Sequence, residues 1–223
     1  MIVKREILKD QASRLIKAHN DPVYYAEKVI KAELETYQKE VLEAIAFNKK
    51  VAWRSGHGVG KTATMAIAVN WWFDTRYGKT ITTASSWRQV EKMLWPEIHK
   101  WRNRANFEWI GRYVDDYEKL NLMIKRDDDW FATGEASDIP EKMEGFHSEN
   151  LFYVVDEAKT VPAETFEAIE VAMTNAEGEV KLLVCSTPPP EKAGYFYEIF
   201  SRKRIGFVCF HTDGEDSPRV GKE

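Results

Sequence analysis

A glycine-rich run that ends in a lysine and a threonine is the segment of this sequence best suited to chemistry. It consists of Ser55, Gly56, His57, Gly58, Val59, Gly60, Lys61 and Thr62. The glycines allow the main chain to curl so that its N–H groups point inward at an anion. Lys61 would bring a cation to the β- and γ-phosphates of a nucleotide, and the Thr62 hydroxyl would bind Mg²⁺. The run therefore predicts a phosphate-binding loop, in which Ser55 stands where the first glycine is usual.

Two adjacent carboxylates follow an apolar run about 95 residues further along the chain. The apolar run, residues 151–155, predicts a buried parallel strand, and Asp156 and Glu157 come directly after it. Ligands bind at the carboxyl ends of the strands in open α/β sheets. Asp156 is therefore a candidate Mg²⁺ ligand, and Glu157 a candidate general base that polarises the attacking water. Alone, the pair would equally fit the cap and first turn of a helix, but together with the phosphate loop it predicts nucleotide hydrolysis.

The acidic pair also discriminates between classes of nucleotide hydrolase. Switch GTPases carry an Asp-x-x-Gly element and an Asn-Lys-x-Asp base-recognition element, and the sequence contains neither. A glutamate directly after the aspartate favours a motor ATPase, which has an additional strand between the two motifs. Lys79–Ala84 is rich in β-branched residues and is predicted to be that strand.

Two further pairs of residues have alternative interpretations. Ser186 and Thr187 end an apolar run, where a hydroxyl could sense the γ-phosphate, but the three prolines that follow would equally force a simple turn. Tyr37 could stack on an adenine ring while the Gln38 amide reads its edge. The alternative is a helix N-terminus capped by Thr36, with Tyr37 in the core.

Basic residues between the two motifs are candidates for contacts with phosphate outside the chain. Arg102 and Arg104 belong to a cationic cluster that could reach a neighbouring subunit's γ-phosphate or DNA. A solvated helix face explains such charges more often than a functional site does.

The elements that must position these residues alternate along the chain. The hydrophobic patterns predict the following strands and helices: strands at 50–54, 79–84, 121–125, 130–133, 151–155, 180–185 and 205–211, and helices at 4–18, 22–30, 37–47, 60–75, 87–103, 163–173 and 195–204. Strands that alternate with helices indicate an α/β fold with a mainly parallel sheet flanked by helices.

Composition fits one globular α/β domain with a small appendage. The chain has 223 residues, of which 43% are hydrophobic and 30% charged. Its net charge is −4, so any contact with DNA would come from a local basic patch. The sequence has no apolar stretch of about 18 residues, so no membrane span is expected. Cys185 and Cys209 lie in apolar runs and are predicted to be buried, reduced thiols.

In their order and spacing, the motifs resemble the N-terminal ATPase domain of the large terminase subunit of tailed bacteriophages. Helicases share most of the individual motifs, but the ordered set is fairly specific and covers nearly the whole chain. The matching segments are residues 21–23, 37–38, 54–62, 82–90, 145–147, 155–158 and 186–188.

The resemblance implies a P-loop NTPase of the ASCE or RecA-like class. It implies an N-terminal helical extension over residues 1–33, an ATPase domain over 34–212 and the start of a linker over 213–223. ATP and Mg²⁺ would be the cofactors. The implied site residues are an adenine-reading Gln38, a phosphate-gripping Lys61, a Mg²⁺ ligand at Asp156, a catalytic Glu157 and a coupling motif at Ser186 and Thr187.

The resemblance also implies partners. These are a portal, the small terminase subunit, and further copies of the chain in a ring of five that moves double-stranded DNA into a procapsid in the host cytoplasm. Two positions depart from the family pattern: Glu144 replaces a candidate trans-acting arginine before Gly145, and His57 replaces an arginine in the phosphate loop. The trans arginine would then come from elsewhere, with Arg102 and Arg104 as candidates.

Complete terminases also carry a C-terminal nuclease of the RNase H type. After Pro218 too little chain remains for it, so the sequence is expected to be a truncated chain or fragment that does not cut DNA. Two other functions stay open on the sequence alone. One is a helicase-type ATPase, although related helicases need two such domains in one chain; the other is a nucleotide-dependent switch that hydrolyses slowly.

Overall fold

An eight-stranded sheet forms the centre of the computed structural model, which describes residues 2–112, 117–201 and 204–218. The described strands are β1 (Lys50–Ser55), β2 (Lys79–Ala84), β3 (Glu118–Leu120), β4 (Met123–Asp127), β5 (Trp130–Gly134), β6 (Leu151–Asp156), β7 (Val180–Ser186) and β8 (Phe207–Thr212). Their order in the sheet is β3-β4-β5-β2-β6-β7-β1-β8. All described neighbours pair in parallel except β3 with β4 and β4 with β5. The predicted mainly parallel sheet is confirmed.

Helices connect the parallel strands and cover the sheet. The described α-helices are α1 (Ile2–Asn20), α2 (Pro22–Tyr25), α3 (Thr36–Phe47), α4 (Lys61–Thr75), α5 (Trp87–Gln89), α6 (Trp95–Arg102), α7 (Pro140–Glu144), α8 (Ala163–Asn175) and α9 (Tyr195–Phe200). Two π-helical turns, Ala26–Ile30 and Val90–Leu94, continue α2 and join α5 to α6. Asp21 caps α2, because its side chain accepts a hydrogen bond from the Tyr24 N–H at 2.7 Å.

The order of the strands corrects one prediction. β7 lies between β1, which leads into the phosphate loop, and β6, which ends in the acidic pair. β2 pairs with the other edge of β6, so Lys79–Ala84 is a strand but not the one that separates the two motifs. Local sequence predicts each of these buried strands, but their order depends on where each helical crossover returns the chain to the sheet.

The N-terminal helices pack on the sheet's helical layer. α4 is buried from Thr64 to Asp74 because the sheet covers one side of it and the N-terminal helices cover another. The Trp71 indole N–H donates to the carbonyl of Ala18 at 2.7 Å. Residues 18–32 therefore share one apolar core with the sheet, and the boundary predicted at residue 33 stays a prediction. No helix in the described part of the chain combines the length and the apolar character needed to cross a bilayer.

The last strand and the helix before it differ from the sequence prediction. α9 ends at Phe200, four residues before its predicted end. Cys209 is exposed, not buried. The reason is that β8 is an edge strand with β1 as its paired neighbour, so its side chains are covered less completely than an apolar run suggests. The predicted linker begins with a short 3₁₀ turn (Gly214–Asp216), and its residues 219–223 lie outside the described residues.

A buried ion pair ties α4 to α6. The Arg102 guanidinium donates to Asp74 Oδ1 at 3.0 Å and to Asn70 Oδ1 at 3.0 Å, and the Arg102 and Asp74 side chains are fully buried. Tyr25 donates its hydroxyl proton to the same carboxylate at 2.5 Å, and Arg126 lies 3.5 Å from it. These partners offset the free-energy cost of burying the Asp74 and Arg102 charges.

This burial contradicts one of the two arginine predictions. Arg102 is held by Asp74 beneath the rings of Phe107 and Tyr117, so it reaches neither a neighbouring subunit nor DNA. Arg104 is exposed, with its guanidinium 4.7 Å from the centre of the Trp101 ring. Of these two residues, Arg104 alone remains a candidate for contacts outside the chain.

The two arginines allow a matched test of the buried ion pair. We expect Arg102→Met to lower the free energy of unfolding by about 3 kcal/mol, because it leaves the buried Asp74 carboxylate with only its weaker partners. Arg104→Met should change it by less than about 0.5 kcal/mol. Urea unfolding followed by circular dichroism measures both. If both substitutions lowered the free energy of unfolding equally, the buried ion pair would contribute no more to stability than the exposed Arg104.

Candidate functional site

The phosphate loop connects the end of β1 to the start of α4. Gly60 precedes the helix with φ 85°, a left-handed conformation that favours glycine. A Cβ atom at this position would lie 2.6 Å from the Gln38 amide nitrogen. At the other end of the loop, a Cβ atom on Gly56 would lie 2.8 Å from the backbone nitrogen of Gly214. The loop therefore needs glycine at both ends, for its curvature and for its packing.

Lys61 points back into the loop. Its ammonium group donates to the carbonyl of Gly56 at 2.7 Å and to Ser55 Oγ at 3.1 Å. The residue is buried, and burial lowers the pKa of the ammonium group. A desolvated cation among main-chain groups of the loop is suited to binding an anion there.

The acidic pair lies at the end of β6. Asp156 is buried, and this burial raises the pKa of its carboxyl to about 6. Its Oδ1 accepts a hydrogen bond from the Glu157 N–H at 2.8 Å. Glu157 has φ 47° and ψ 42°, a left-handed conformation that is uncommon for a residue with a side chain. This local bend allows both carboxylates to face the same cavity, although adjacent residues of a strand point to opposite sides.

The loop and the acidic pair line one cavity of about 380 Å³. Its lining residues are His57, Gly58, Gly60, Lys61, Thr62, Ala63, Gln89, Met93, Glu97, Asp156 and Glu157. The sequence had not identified Gln89, Met93 and Glu97 as part of the site. They come from the helical segment after β2, and because β2 neighbours β6, that segment begins at the same edge of the sheet. The pairing of β2 with β6 would have identified these three residues, but the sequence does not reveal it.

The cavity offers oxygen donors of the kind that Mg²⁺ prefers. The Thr62 hydroxyl and the Asp156 carboxylate belong to two of the residues that line it. Mg²⁺ keeps several water ligands and needs only one or two protein groups beside substrate phosphates. The described residues contain no cluster of three or more His, Cys, Asp or Glu side chains arranged to hold a metal. The donors fit the magnesium ion that the resemblance implies.

Tyr37 and Gln38 lie beside the loop but do not line the cavity. The Gln38 side chain is buried: its Oε1 accepts from the Glu35 N–H at 3.0 Å, and its Nε2 donates to Thr64 Oγ1 at 3.0 Å. Tyr37 is half-buried, with its ring centre 6.1 Å from that of Trp53. These contacts fit the structural alternative for both residues, except that the N-cap of α3 is Glu35 and not the predicted Thr36. Adenine recognition by Gln38 would require its present bonds to break, and it stays a prediction.

Ser186 and Thr187 reach the acidic pair from the end of β7. The Ser186 hydroxyl donates to Glu157 Oε2 at 3.3 Å. Thr187 Oγ1 accepts a hydrogen bond from the ammonium group of Lys159, which lies 3.8 Å from the same carboxylate oxygen. Lys159 lies outside every motif of the sequence, so the sequence alone does not identify it. These contacts join the end of β7 to the acidic pair.

Comparison with known proteins agrees with the resemblance. No family model matches the chain. The chain is 26% identical over 178 residues to a probable terminase large subunit of Enterobacteria phage P7. This match covers 74% of the chain and 35% of the relative, so the chain spans about a third of that protein's length.

Solved structures share the fold. The large terminase ATPase domain of Thermus phage P74-26 superposes with a TM-score of 0.62 at 18% identity, over 85% of this chain and 84% of that one. The large terminase of the thermophilic bacteriophage D6E, in complex with ADP, superposes with a TM-score of 0.58 at 15% identity, over 85% of this chain and 48% of that one. The chain therefore has the P-loop NTPase fold of large terminase ATPase domains, and the predicted resemblance to phage large terminases is confirmed in both sequence and fold.

Proposed function

We propose that the chain is the ATP-hydrolysing motor domain of a viral DNA-packaging terminase. One observation carries the proposal: residues of the phosphate loop and both residues of the acidic pair line a single cavity. A polyphosphate gripped by the loop would present its terminal phosphate to the acidic pair. The sequence similarity to a phage large terminase supports the biological role.

The loop would bind the triphosphate of ATP. Its curled main chain and the first turn of α4 direct N–H groups at the phosphates. The Lys61 ammonium would exchange its present partners, the Gly56 carbonyl and the Ser55 hydroxyl, for oxygens of the β- and γ-phosphates. Because Lys61 is already desolvated, this exchange costs less than moving a hydrated lysine into the site.

Thr62 and Asp156 would hold Mg²⁺ beside the phosphates. When bound, the ion supplies positive charge that neutralises the phosphate oxygens as the terminal phosphate is transferred to water. The Asp156 carboxylate must be ionised for this role, and its raised pKa means that it loses its charge below about pH 6.

Glu157 would act as the general base. Its carboxylate accepts a proton from a water molecule while the water oxygen attacks the γ-phosphorus, and the bond to the leaving oxygen of ADP breaks. The left-handed main chain at Glu157 directs the carboxylate into the cavity. Ser186 and Thr187, in contact with this carboxylate and with Lys159, would pass the hydrolysis signal onward.

The proposed partners follow from the terminase similarity. They are double-stranded DNA, a portal protein, the small terminase subunit and further copies of the chain in a ring of five, docked on a procapsid in the host cytoplasm. Arg104 is exposed and is the proposed source of a trans-acting arginine or of a DNA contact. The predicted extension over residues 1–33 and linker from residue 213 belong to the same proposal.

Two substitutions separate binding from hydrolysis. We expect Glu157→Gln to lower kcat about 10²–10⁴-fold because the general base is lost, with little change in the dissociation constant for ATP. We expect Lys61→Ala to weaken ATP binding about 10–100-fold because charge-assisted hydrogen bonds to phosphate are lost. Steady-state turnover and calorimetry measure the two effects. Unchanged turnover in Glu157→Gln would remove this residue from its assigned role.

Without Mg²⁺, the free energy of unfolding should show the cost of burying the Asp156 carboxylate. The folded-state pKa of Asp156 is raised, so folding stabilises the protonated form, and the penalty for burying the charge is fully present above about pH 6. We expect Asp156→Asn to raise the free energy of unfolding by about 1–3 kcal/mol at pH 7.5. The gain should shrink as the pH falls from 6 towards 4. Urea titrations with EDTA at several pH values test this, and a gain that does not depend on pH would contradict it.

The motor role can be tested by comparing ATP turnover in the presence of double-stranded and of single-stranded DNA. We expect ATP hydrolysis to rise when duplex DNA is added together with portal protein, because the proposed motor acts on double strands within a ring. Single-stranded DNA of the same length is the matched control. Stimulation by single strands with strand separation would instead indicate a helicase.

A further inference from the structure

Lys159 makes three contacts that converge on the end of β7 and on Glu157. Its backbone N–H donates to Ser186 Oγ at 3.2 Å. Its ammonium group donates to Thr187 Oγ1 and lies 3.8 Å from Glu157 Oε2. Both charged side chains are largely covered, with 26% of the Lys159 side chain and 20% of the Glu157 side chain exposed. One residue therefore joins the proposed general base to the proposed coupling motif.

The hydrogen bonds form a directed chain. The Lys159 N–H donates to the Ser186 hydroxyl, and that hydroxyl donates its own proton to Glu157 Oε2 at 3.3 Å. A hydroxyl that donates and accepts at once is polarised by both neighbours, which strengthens both bonds. The ammonium group adds an attractive charge beside the same oxygen. The Glu157 carboxylate is thus held from the side of β7.

Glu157 needs such restraint because its main chain lies outside regular structure. It follows the last residue of β6 and has φ 47°, so no strand or helix fixes the direction of its side chain. A general base is effective only within about 2.6–3.2 Å of the proton it abstracts, or through one water molecule. Side-chain contacts must therefore set the position of the carboxylate.

We propose that Lys159 is a positioning residue, which orients the Glu157 carboxylate and ties its orientation to Ser186 and Thr187. The proposal rests on the proposed function of Glu157 as general base. A movement of the end of β7 would change the direction of the carboxylate through Lys159, and a change at the γ-phosphate would reach β7 by the same route. A solvated surface lysine would do neither, because exposed ion pairs contribute little.

Turnover of the full chain tests the positioning role. We expect Lys159→Met, which keeps the length of the side chain without its charge, to lower kcat about tenfold while KM for ATP changes less than about twofold. Lys159→Arg should keep kcat within about threefold of wild type, since a guanidinium keeps the positive charge beside Glu157 and can donate to Thr187. Lys192→Met is the matched control, because Lys192 is exposed and distant from the acidic pair in sequence. The kcat of this variant should equal that of wild type.

A second measurement does not depend on hydrolysis. Lys159→Met, Thr187→Val and the double variant are unfolded in urea, and the shifts of their midpoints are compared. Because the two side chains share one hydrogen bond, the shift of the double variant should be smaller than the sum of the single shifts. Additive shifts would overturn the proposal, as would a Lys159→Met variant with wild-type kcat or a Lys159→Arg variant as slow as Lys159→Met.

The two measurements also separate this proposal from the proposed function. A wild-type chain that hydrolyses no ATP, even in single-turnover assays with enzyme in excess, would refute the proposed function and with it the positioning role. A wild-type chain that hydrolyses ATP through Glu157 but tolerates Lys159→Met would refute only the positioning role.

Discussion

The hydrogen-bonded ladder of β6, β7 and β1 is the constraint on which the site depends. In this ladder Val155 pairs with Val184, and Arg54 pairs with Ser186, so the three strands end close to one level. The acidic pair, the Ser186–Thr187 segment and the phosphate loop leave the sheet from these ends. Strand spacing of about 4.8 Å then brings three segments distant in sequence within reach of one polyphosphate. A shift of one residue in this register would reverse the face of every side chain on the shifted strand.

The site is maintained at a cost in stability. The buried Asp156 carboxyl has a pKa of about 6, the Lys61 ammonium group is desolvated, and Glu157 occupies a left-handed conformation. A residue held in such a conformation costs about 1–3 kcal/mol. The surrounding core offsets these costs: apolar strands β6 and β7 are buried along their whole length, and α4 is buried over most of its own. The core thus holds the Asp156 carboxyl and the Lys61 ammonium group in place, where a bound nucleotide and its Mg²⁺ would neutralise their charges.

Sequence alone predicts what contiguous motifs encode. The phosphate loop and the acidic pair could be identified because each is a short run whose residue types meet one chemical need. The buried strands could be identified because apolar or β-branched residues dominate them. The order of strands could not be predicted, since residues 79–84 look the same on either side of β6. Arg102 looked like an exposed helix cation, because its partner Asp74 lies on another helix 28 residues away. Lys159 has no motif of its own, and its importance appears only when the end of β7 lies beside it.

We propose that one cavity binds a polyphosphate between the loop and the acidic pair with the help of Mg²⁺. This binding can be measured by calorimetric titration of the chain with a non-hydrolysable ATP analogue, once with Mg²⁺ and once with EDTA. We expect one site per chain, with affinity at least about tenfold higher when Mg²⁺ is present, because Thr62 and Asp156 would hold the ion beside the phosphates. Absence of binding, or equal affinity under both conditions, would show that the cavity is not a magnesium-dependent nucleotide site.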